Sequence, residues 1–522
     1  MDNKLYIEPF ERELPSDYAD RLGIYYTQQV TTKHKKDNGQ FFTPTPIARL
    51  MASYCDLTKT SIRILDPGCG TAILTCALIE HLIESRNDIE IIDLVAYETD
   101  PDLISSSQKT LTYLKKWLLE KGVRLQYLLH IHDFILDNAK ALKRNYNGEQ
   151  FDLIISNPPY FKLAKDDEKT IAANMLVSGQ PNIYSIFMGI ASKLLSENGE
   201  LIFITPRSFA SGNYFKAFRE LFFNTVQIDK IHLFNSRKDT FNRDSVLQET
   251  VIVKAIRETI DPNKQVLVSS SVGIRDIFEP TIKYFASSEL LDLNSKEKIL
   301  HLPTSDKEES ILNLVASWEN VLRDYNIQIS TGPVVSFRAL DYIQNNYENG
   351  TVFLAPLFWL HNVNKMILEW PKQLKEKGQF IRIENGSKSL LIPNKNYILL
   401  RRFSTKDDKS RLIAAPYFCN YIKSDFIGVE NKVNYIYRKH GHLERNELVG
   451  LCALLNSELF DTYFQIFNGN VNVSATELRE MRLPPLNDIK KIGNKIILSN
   501  DYSMINVNHI VSELFEMEVI LN

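Results

Sequence analysis

The sequence predicts an α/β amino-terminal half built on a parallel sheet, followed by an α+β half. Three observations predict this division: apolar runs that alternate with helical spacing up to about residue 256, a glycine-rich turn directly after the first run, and a change of texture beyond residue 262. Strands that alternate with helices form βαβ units, whose parallel sheet is covered on both faces. We therefore expect one domain at residues 1–260 and a second at 261–522.

The composition is that of a globular protein with no general attraction to nucleic acid. The 522 residues are 44% hydrophobic, and 61 Lys and Arg against 64 Asp and Glu leave a net charge of −3. A nucleic-acid contact would therefore need a local basic patch. No run approaches the roughly 20 apolar residues of a membrane span, and the first residues are charged where a signal peptide is apolar. Five cysteines without a CxxC pair predict neither disulfides nor structural zinc, which fits a cytoplasmic protein.

Seven apolar runs are the predicted strands of the first half. They are Ile62–Leu65, Leu94–Tyr97, Leu125–Ile131, Leu153–Ile155, Leu201–Ile204, Ile228–Phe234 and Thr250–Val253. Two stretches between them, Ile73–Ile83 and Ile183–Leu195, have the apolar spacing of helices. The later half mixes short strand-like pieces with many Asn, Tyr and Phe residues, which favours an α+β domain.

A candidate binding loop follows the first predicted strand. Its sequence is Asp66-Pro67-Gly68-Cys69-Gly70-Thr71-Ala72, and it opens a helix. Glycines at such a turn let the backbone approach a ligand, and the helix N-terminus favours negative charge. The spacing departs from the dinucleotide pattern GxGxxG, so a purely structural turn is the alternative. Glu98 ends the second strand, where it is either a partner for ribose hydroxyls or a solvated charge.

A second candidate site follows the fourth strand, where Phe151–Ser156 runs into Asn157-Pro158-Pro159-Tyr160. The two prolines fix φ and remove backbone donors, which leaves a carbonyl aimed in a rigid direction. The Asn157 oxygen and the Pro158 carbonyl can accept hydrogens from a planar amino group while Tyr160 stacks on its ring. A simple turn is the alternative for such a tetrapeptide.

In this order the motifs resemble those of the gamma class of adenine-N6 DNA methyltransferases, found in type II restriction–modification systems. The resemblance is strong over residues 20–260, and the later half resembles BsuBI/PstI-type enzymes more weakly. It implies a Rossmann-like class I S-adenosylmethionine-dependent domain at 1–260 and a target-recognition domain at 261–522. The family's cofactor contacts fall on Phe42, Thr43, Pro44, Asp66, Gly68, Cys69, Gly70, Glu98, Asp133 and Phe134.

The resemblance also implies the chemistry and the partners. Asn157, Pro158, Pro159 and Tyr160 match the catalytic motif, and Phe241 stands where the family carries a second aromatic residue for the target base. The implied reaction moves a methyl group from S-adenosylmethionine to N6 of an adenine flipped out of double-stranded DNA, which protects the site from a cognate restriction endonuclease. Ala72 departs from the glycine of many members, but its side chain is small and we expect the loop to close.

The residues outside these motifs add a DNA contact and no metal. Residues 401–440 hold nine Lys and Arg against four acids, interleaved with aromatic residues; we expect Arg401 and Arg402 to contact DNA, with a solvated basic face as the alternative. Two HxH pairs, His130 with His132 and His440 with His442, lack an obvious third ligand in the sequence, so we expect no metal. Ser474-Ala475-Thr476-Glu477 reads as a capping box at a helix start.

Several other functions stay open at this stage. Cytosine-C5 methylation is disfavoured because no Pro-Cys nucleophile is present. Cytosine-N4 methylation usually shows Ser at the position of Asn157. A protein-glutamine or RNA-base methyltransferase rarely carries another ~260 residues after its catalytic domain. An inactive DNA-binding module would not need Glu98, Asp133 and Asn157, and no convincing endonuclease motif is visible.

Overall fold

A computed structural model describes residues 8–31, 39, 42–144, 146–234, 250–345, 353–372, 377–403, 410–468 and 473–516. The chain divides into two compact units, Met1–Thr304 and Ser305–Asn522. Among the described residues, no helix is both long and apolar enough to cross a membrane.

The first unit is built on a nine-stranded sheet. Its strands are β1 (Ser61–Asp66), β2 (Ile91–Tyr97), β3 (Arg124–His130), β4 (Phe151–Ser156), β5 (Leu195–Pro206), β6 (Gln227–Phe234), β7 (Thr250–Ile256), β8 (Gln265–Ser271) and β9 (Thr281–Ala286). They lie in the order β3-β2-β1-β4-β5-β7-β6-β8-β9. The first five in this order run parallel, while β7 is antiparallel to β5 and β6. The predicted parallel sheet is confirmed, and all seven predicted runs are strands.

Helices pack on both faces of this sheet. They are Pro15–Gln29, Thr45–Ala52, Ile73–Ser85, Pro101–Leu119, Phe134–Asn138, Glu168–Ala172, Ile183–Leu194, Lys216–Phe223 and Ser287–Leu290. Successive residues of a strand point to opposite faces. Accordingly, Leu153 and Ile155 of β4 belong to one buried core, and Ile154 belongs to the other. The near-continuous apolar runs follow from this burial on both faces.

The structural boundary lies later than residue 260. β8 pairs in parallel with β6, and β9 pairs with β8, so the sheet continues past the predicted end of the first domain. Val266, Val268 and Phe285 are buried in one of its two cores. The predicted boundary was too early because the amino-acid composition changes near Pro262, whereas the strands that follow still extend the same sheet.

Among its described residues, the second unit has three small sheets and six α-helices. One helix lies at its start and five lie in its carboxy-terminal part. Its strands are β10 (Ile327–Thr331), β11 (Ile343–Gln344), β12 (Leu354–Phe358), β13 (Val363–Asn364), β14 (Ile367–Leu368), β15 (Phe380–Arg382), β16 (Leu391–Pro393), β17 (Tyr397–Arg401), β18 (Ala414–Tyr417), β19 (Phe426–Val429) and β20 (Val433–Arg438). Its α-helices are Asp306–Ala316, Arg445–Asn456, Glu458–Phe467, Ala475–Glu480, Leu486–Ser499 and Met504–Leu514. This confirms the α+β prediction.

The sheets of the second unit have the orders β10-β20-β17-β18, β11-β15-β12-β19-β16 and β13-β14. The predicted capping box also forms. The Ser474 hydroxyl accepts a hydrogen bond from the Thr476 amide at 3.2 Å, and the Glu477 carboxylate accepts one from the Ser474 amide at 3.1 Å. The helix-start interpretation of this segment is therefore confirmed.

Candidate active site

A cavity of about 420 Å³ lies where the strand order reverses. β1 has β2 on one side and β4 on the other, so the chain leaves β1 and β4 in opposite directions across the sheet. Ligands of doubly wound sheets bind at this point, outside the carboxyl ends of the strands. The residues predicted from the motifs that line the cavity are Phe42, Thr43, Gly68, Cys69, Gly70, Glu98, Asp133, Phe134, Asn157 and Pro159.

The glycine loop is held from below by Asp66, which does not line the cavity. Its carboxylate accepts a hydrogen bond from the Thr75 hydroxyl at 2.7 Å, and the Gly68 amide lies 3.4 Å from its other oxygen. Complete burial raises the pKa of Asp66 to about 7. Ala72 adopts a left-handed conformation with φ of 67°, so the loop closes as expected, at a cost of about 1–2 kcal/mol. The Cys69 amide donates to the Tyr97 carbonyl at 2.9 Å and ties the loop to β2.

Glu98 lies directly against this loop. One carboxylate oxygen accepts the Gly70 amide at 3.0 Å, and the other accepts the amides of Thr99 and Asp100, both at 2.8 Å. Burial raises the pKa of Glu98 in spite of these donors. Asp100 adds a second acid to the cavity wall, with its carboxylate 2.7 Å from the Tyr26 hydroxyl. The sequence analysis missed Asp100, although it stands two residues after Glu98 and begins the next helix.

One end of the cavity is aromatic. The ring of Phe134 lies 5.4 Å from that of Tyr97 and 5.0 Å from that of Phe187. Asp133 caps the helix that begins at Phe134, accepting the Ile135 amide at 2.9 Å. Tyr97 and Phe187 were not predicted as site residues. Helical spacing marked the Phe187 segment only as a cover for the sheet, and no local motif distinguished this ring from its apolar neighbours.

Asn157 and Pro159 of the predicted catalytic motif also line the cavity. The Asn157 amide nitrogen donates to the Thr43 hydroxyl at 3.0 Å, and the Tyr160 hydroxyl lies 2.5 Å from the Asn157 amide oxygen. The same hydroxyl is 3.0 Å from the Ile204 carbonyl. Burial holds the pKa of Tyr160 well above its ordinary value, so this hydroxyl stays protonated and acts as a donor.

Three further predicted residues do not line this cavity. Pro158 and Tyr160 are not part of the lining, although their neighbours Asn157 and Pro159 are. Pro44 precedes the helix Thr45–Ala52 as its N-cap residue and does not reach the cavity. It directly follows Thr43, which does line the cavity. Phe241 falls within 235–249, outside the described residues, and its role stays a prediction.

The arginines predicted to contact DNA make internal contacts in the second unit. The Arg401 guanidinium donates to the Val363 carbonyl at 2.6 Å and to the Asn364 side-chain oxygen at 2.9 Å. Arg402 donates to the Asn431 carbonyl at 3.2 Å. These bonds tie β17 to its surroundings, so each arginine has a structural contact besides the predicted phosphate contact.

Comparison with known proteins gives the chain its relatives. The Eco57I restriction-modification methylase family matches residues 74–241. The chain is 30% identical over 480 residues to the type II methyltransferase M.PstI of Providencia stuartii, covering 92% of this chain and 93% of the relative. It is 33% identical over 477 residues to the type II methyltransferase M.BsuBI of Bacillus subtilis, covering 89% and 91%. Among solved structures, DrdV in its DNA complex aligns with 92% of this chain and 59% of its own, at 12% identity and a TM-score of 0.49.

The sheet order, with its antiparallel β7 and a cavity at the point of reversal, is that of the class I S-adenosylmethionine-dependent methyltransferase fold. The two relatives match nearly the whole chain, including its second unit. The chain therefore belongs to the type II DNA methyltransferases of restriction–modification systems.

Proposed function

We propose that this protein transfers a methyl group from S-adenosylmethionine to N6 of a specific adenine in duplex DNA. The observation that carries the proposal is the placement of Asn157 in the cavity wall, with its amide held by Thr43 and backed by Tyr160. An amide oxygen beside the carbonyl of a rigid Pro-Pro turn suits the two hydrogens of a planar exocyclic amino group.

The cavity has the chemical features that S-adenosylmethionine needs. Tyr97, Phe134 and Phe187 supply flat apolar surface for a purine, and Glu98 supplies a carboxylate for ribose hydroxyls. Gly70, with φ of 55°, presents backbone without a side chain at the cavity wall. When bound, S-adenosylmethionine supplies an electrophilic methyl group on a positively charged sulfur.

The chain's own residues act on the target base. The target adenine leaves the base stack at a cost of a few kcal/mol. Stacking on the Tyr160 ring offsets about 1–3 kcal/mol of this cost. The Asn157 oxygen and the Pro158 carbonyl accept the amino hydrogens, and these bonds strengthen as the nitrogen becomes tetrahedral and gains positive charge. After the transfer the positively charged amino nitrogen is acidic and gives up its proton to solvent water.

The second unit is the proposed target-recognition domain. Its basic and aromatic stretch at residues 401–440 supports this role, since phosphate contacts position a protein on DNA and base-edge contacts select the sequence. The two relatives that extend over this unit are type II methyltransferases. A cognate restriction endonuclease would complete the system without having to bind this chain, and a cytoplasmic location would give both access to DNA.

Cytosine-N4 methylation is the second candidate, because its amino group presents the same two hydrogens. Asn157 in place of Ser favours adenine. The aromatic end of the cavity does not distinguish adenine from cytosine as the target, because in this proposal it binds the purine of the cofactor.

Substituting Asn157 tests the proposal by separating binding from chemistry. Asn157→Ala should lower single-turnover methyl transfer to DNA by about 10²–10³-fold, the usual loss when one such contact is removed. Cofactor affinity and the melting temperature should stay near those of the parent protein, because Pro158 and Pro159 still fix the turn. The exposed Asn224, at the end of the helix Lys216–Phe223, provides a matched control. Near-normal transfer by a folded, cofactor-binding Asn157→Ala protein would refute the assignment.

A further inference from the structure

A histidine pair and an aspartate converge at the end of the edge strand β3. His130 is the last residue of this strand, His132 follows in the turn, and Asp137 lies in the helix Phe134–Asn138. The sequence alone indicated only the two histidines, because no local pattern shows that the next helix directs its aspartate toward them. The proposed methyl transfer uses none of the three side chains.

The three side chains are close enough to share one ion. Their ligand atoms, one from each residue, all lie within 4.8 Å of one another. The His132 Nδ1 atom is 3.6 Å from the Asp137 carboxylate, and the two imidazole rings have centroids 6.3 Å apart. Two imidazoles and a carboxylate from a strand end and the following helix form a set of ligands typical of protein-bound zinc.

The surroundings hold two of these ligands in place and leave room for the third to adjust. The His130 ring stacks on Tyr97 with centroids 4.7 Å apart. The Tyr97 hydroxyl accepts a hydrogen bond from the Asn138 side chain at 3.1 Å, which fixes the helix beside Asp137. The His132 side chain is 68% exposed, so it can rotate toward an ion and water can complete the coordination.

We propose that His130, His132 and Asp137 form a three-ligand site for a divalent first-row transition metal, with Zn²⁺ as the representative ion. Imidazole nitrogen suits Zn²⁺, Ni²⁺ and Co²⁺, whereas Mg²⁺ and Ca²⁺ prefer all-oxygen sites. Three protein ligands leave one position for water or another small ligand. His132 also lines the cofactor cavity, so the site adjoins the wall of that cavity.

Titration of the full-length protein with ZnCl₂, after removal of metals with a chelator, tests this proposal. Calorimetry should show one ion bound per chain at the site, and Co²⁺ in place of Zn²⁺ should give the visible absorption of a four-coordinate centre. Asp137→Asn and His130→Gln should each weaken Zn²⁺ binding by more than about 10-fold. Melting curves recorded without metal should match the parent protein, which separates loss of a ligand from loss of the fold.

The second histidine pair of the chain provides the matched control. His440 and His442 have the same spacing, and both residues are exposed, but they belong to no such cluster among the residues that the structure describes. His440→Gln should leave Zn²⁺ affinity unchanged. Equal affinity of the parent protein, Asp137→Asn and His130→Gln, or no Zn²⁺ bound by the parent protein, would overturn the proposal. These readouts do not depend on methyl transfer, so they stand or fall separately from the proposed function.

Discussion

Both polar atoms of the Asn157 side-chain amide make hydrogen bonds within the protein. Its nitrogen donates to Thr43, and its oxygen faces the Tyr160 hydroxyl. The proposed target amino group donates to the same oxygen, which has two lone pairs and can accept it beside the hydroxyl or in its place. The hydroxyl then has the Ile204 carbonyl, already at 3.0 Å, as its acceptor. The proposed catalytic residue thus has its nitrogen held by Thr43 and its oxygen hydrogen-bonded by Tyr160.

Thr43 is expected to position Asn157 for the transfer. Thr43→Val keeps the shape of the side chain but removes the hydroxyl, and a lost hydrogen bond of about 0.5–1.5 kcal/mol corresponds to a rate loss of about 2- to 13-fold. Thr43→Ser restores the hydroxyl and should restore the rate. Single-turnover methyl transfer and cofactor titration of both variants check this prediction. Equal loss of rate in the Val and Ser variants, or loss of cofactor affinity alone, would contradict it.

Tyr160 is expected to act through its ring. Tyr160→Phe keeps the stacking surface and removes the hydroxyl that occupies Asn157, so transfer should stay within a few-fold of the parent rate. Tyr160→Ala removes stacking worth about 1–3 kcal/mol and should weaken productive DNA binding accordingly. Fluorescence of 2-aminopurine at the target position would report the flipped base in each variant. Identical behaviour of the Phe and Ala variants would show that the ring has no such role.

At the scale of elements, Gly39 contacts the turn at residues 157–160 from the part of the chain that precedes the helix Thr45–Ala52. The Gly39 carbonyl accepts the Tyr160 amide at 3.3 Å, and Gly39 has φ of 59°. A Cβ atom there would lie 2.8 Å from the Tyr160 backbone nitrogen and 2.7 Å from the Phe161 ring. Since backbone gives way less readily than a flexible side chain, a substitution at Gly39 should displace the turn at residues 157–160.

Gly39→Ala should therefore lose transfer activity out of proportion to its loss of stability. Gly122 is the matched control, since it has φ of 78° and open space within 4 Å of the added Cβ. Both substitutions should cost about 1–2 kcal/mol of folding free energy from the left-handed conformation. Only Gly39→Ala should also reduce methyl transfer. Urea unfolding and single-turnover assays of both proteins test this, and normal transfer by Gly39→Ala would contradict it.

The strands and the two motif loops of the first unit were predictable because their signals are local. An apolar run reports its own burial, and Asn157-Pro158-Pro159-Tyr160 constrains its own backbone. Phe187 and Asp137 were not predictable as site residues, because the direction of a side chain depends on how its helix packs. The placement of β8 beside β6 also depends on pairing across the intervening β7, which no local pattern specifies, and β9 then follows β8 as its antiparallel neighbour.

At the scale of the whole molecule, the two units are expected to divide cofactor binding from sequence selection. A chain ending at Thr304 retains every strand of the large sheet and every residue of the cavity. It should fold, bind S-adenosylmethionine and lose site-specific DNA binding. A chain ending at Ile260 lacks Val266, Val268 and Phe285 of the core, so it should melt at a lower temperature.

Competition gel shifts with target and scrambled duplexes check the division of labour, and melting curves of both truncated chains check the boundary. Retained sequence preference in the chain ending at Thr304 would show that the first unit reads the DNA. Equal melting temperatures for the two truncated chains would show that β8 and β9 do not contribute to the stability of the first unit.

Identifying the methylated product shows whether Asn157 and its turn direct methylation to the amino group of adenine. The full-length protein would be incubated with duplex DNA and S-adenosylmethionine carrying a labelled methyl group. The DNA would then be digested to nucleosides and analysed by mass spectrometry, with Asn157→Ala as the control. We expect the parent protein to place label in N6-methyladenine alone, and the Asn157→Ala protein to place little or no label in the DNA. Label in N4-methylcytosine, or equal label from the Asn157→Ala protein, would contradict it.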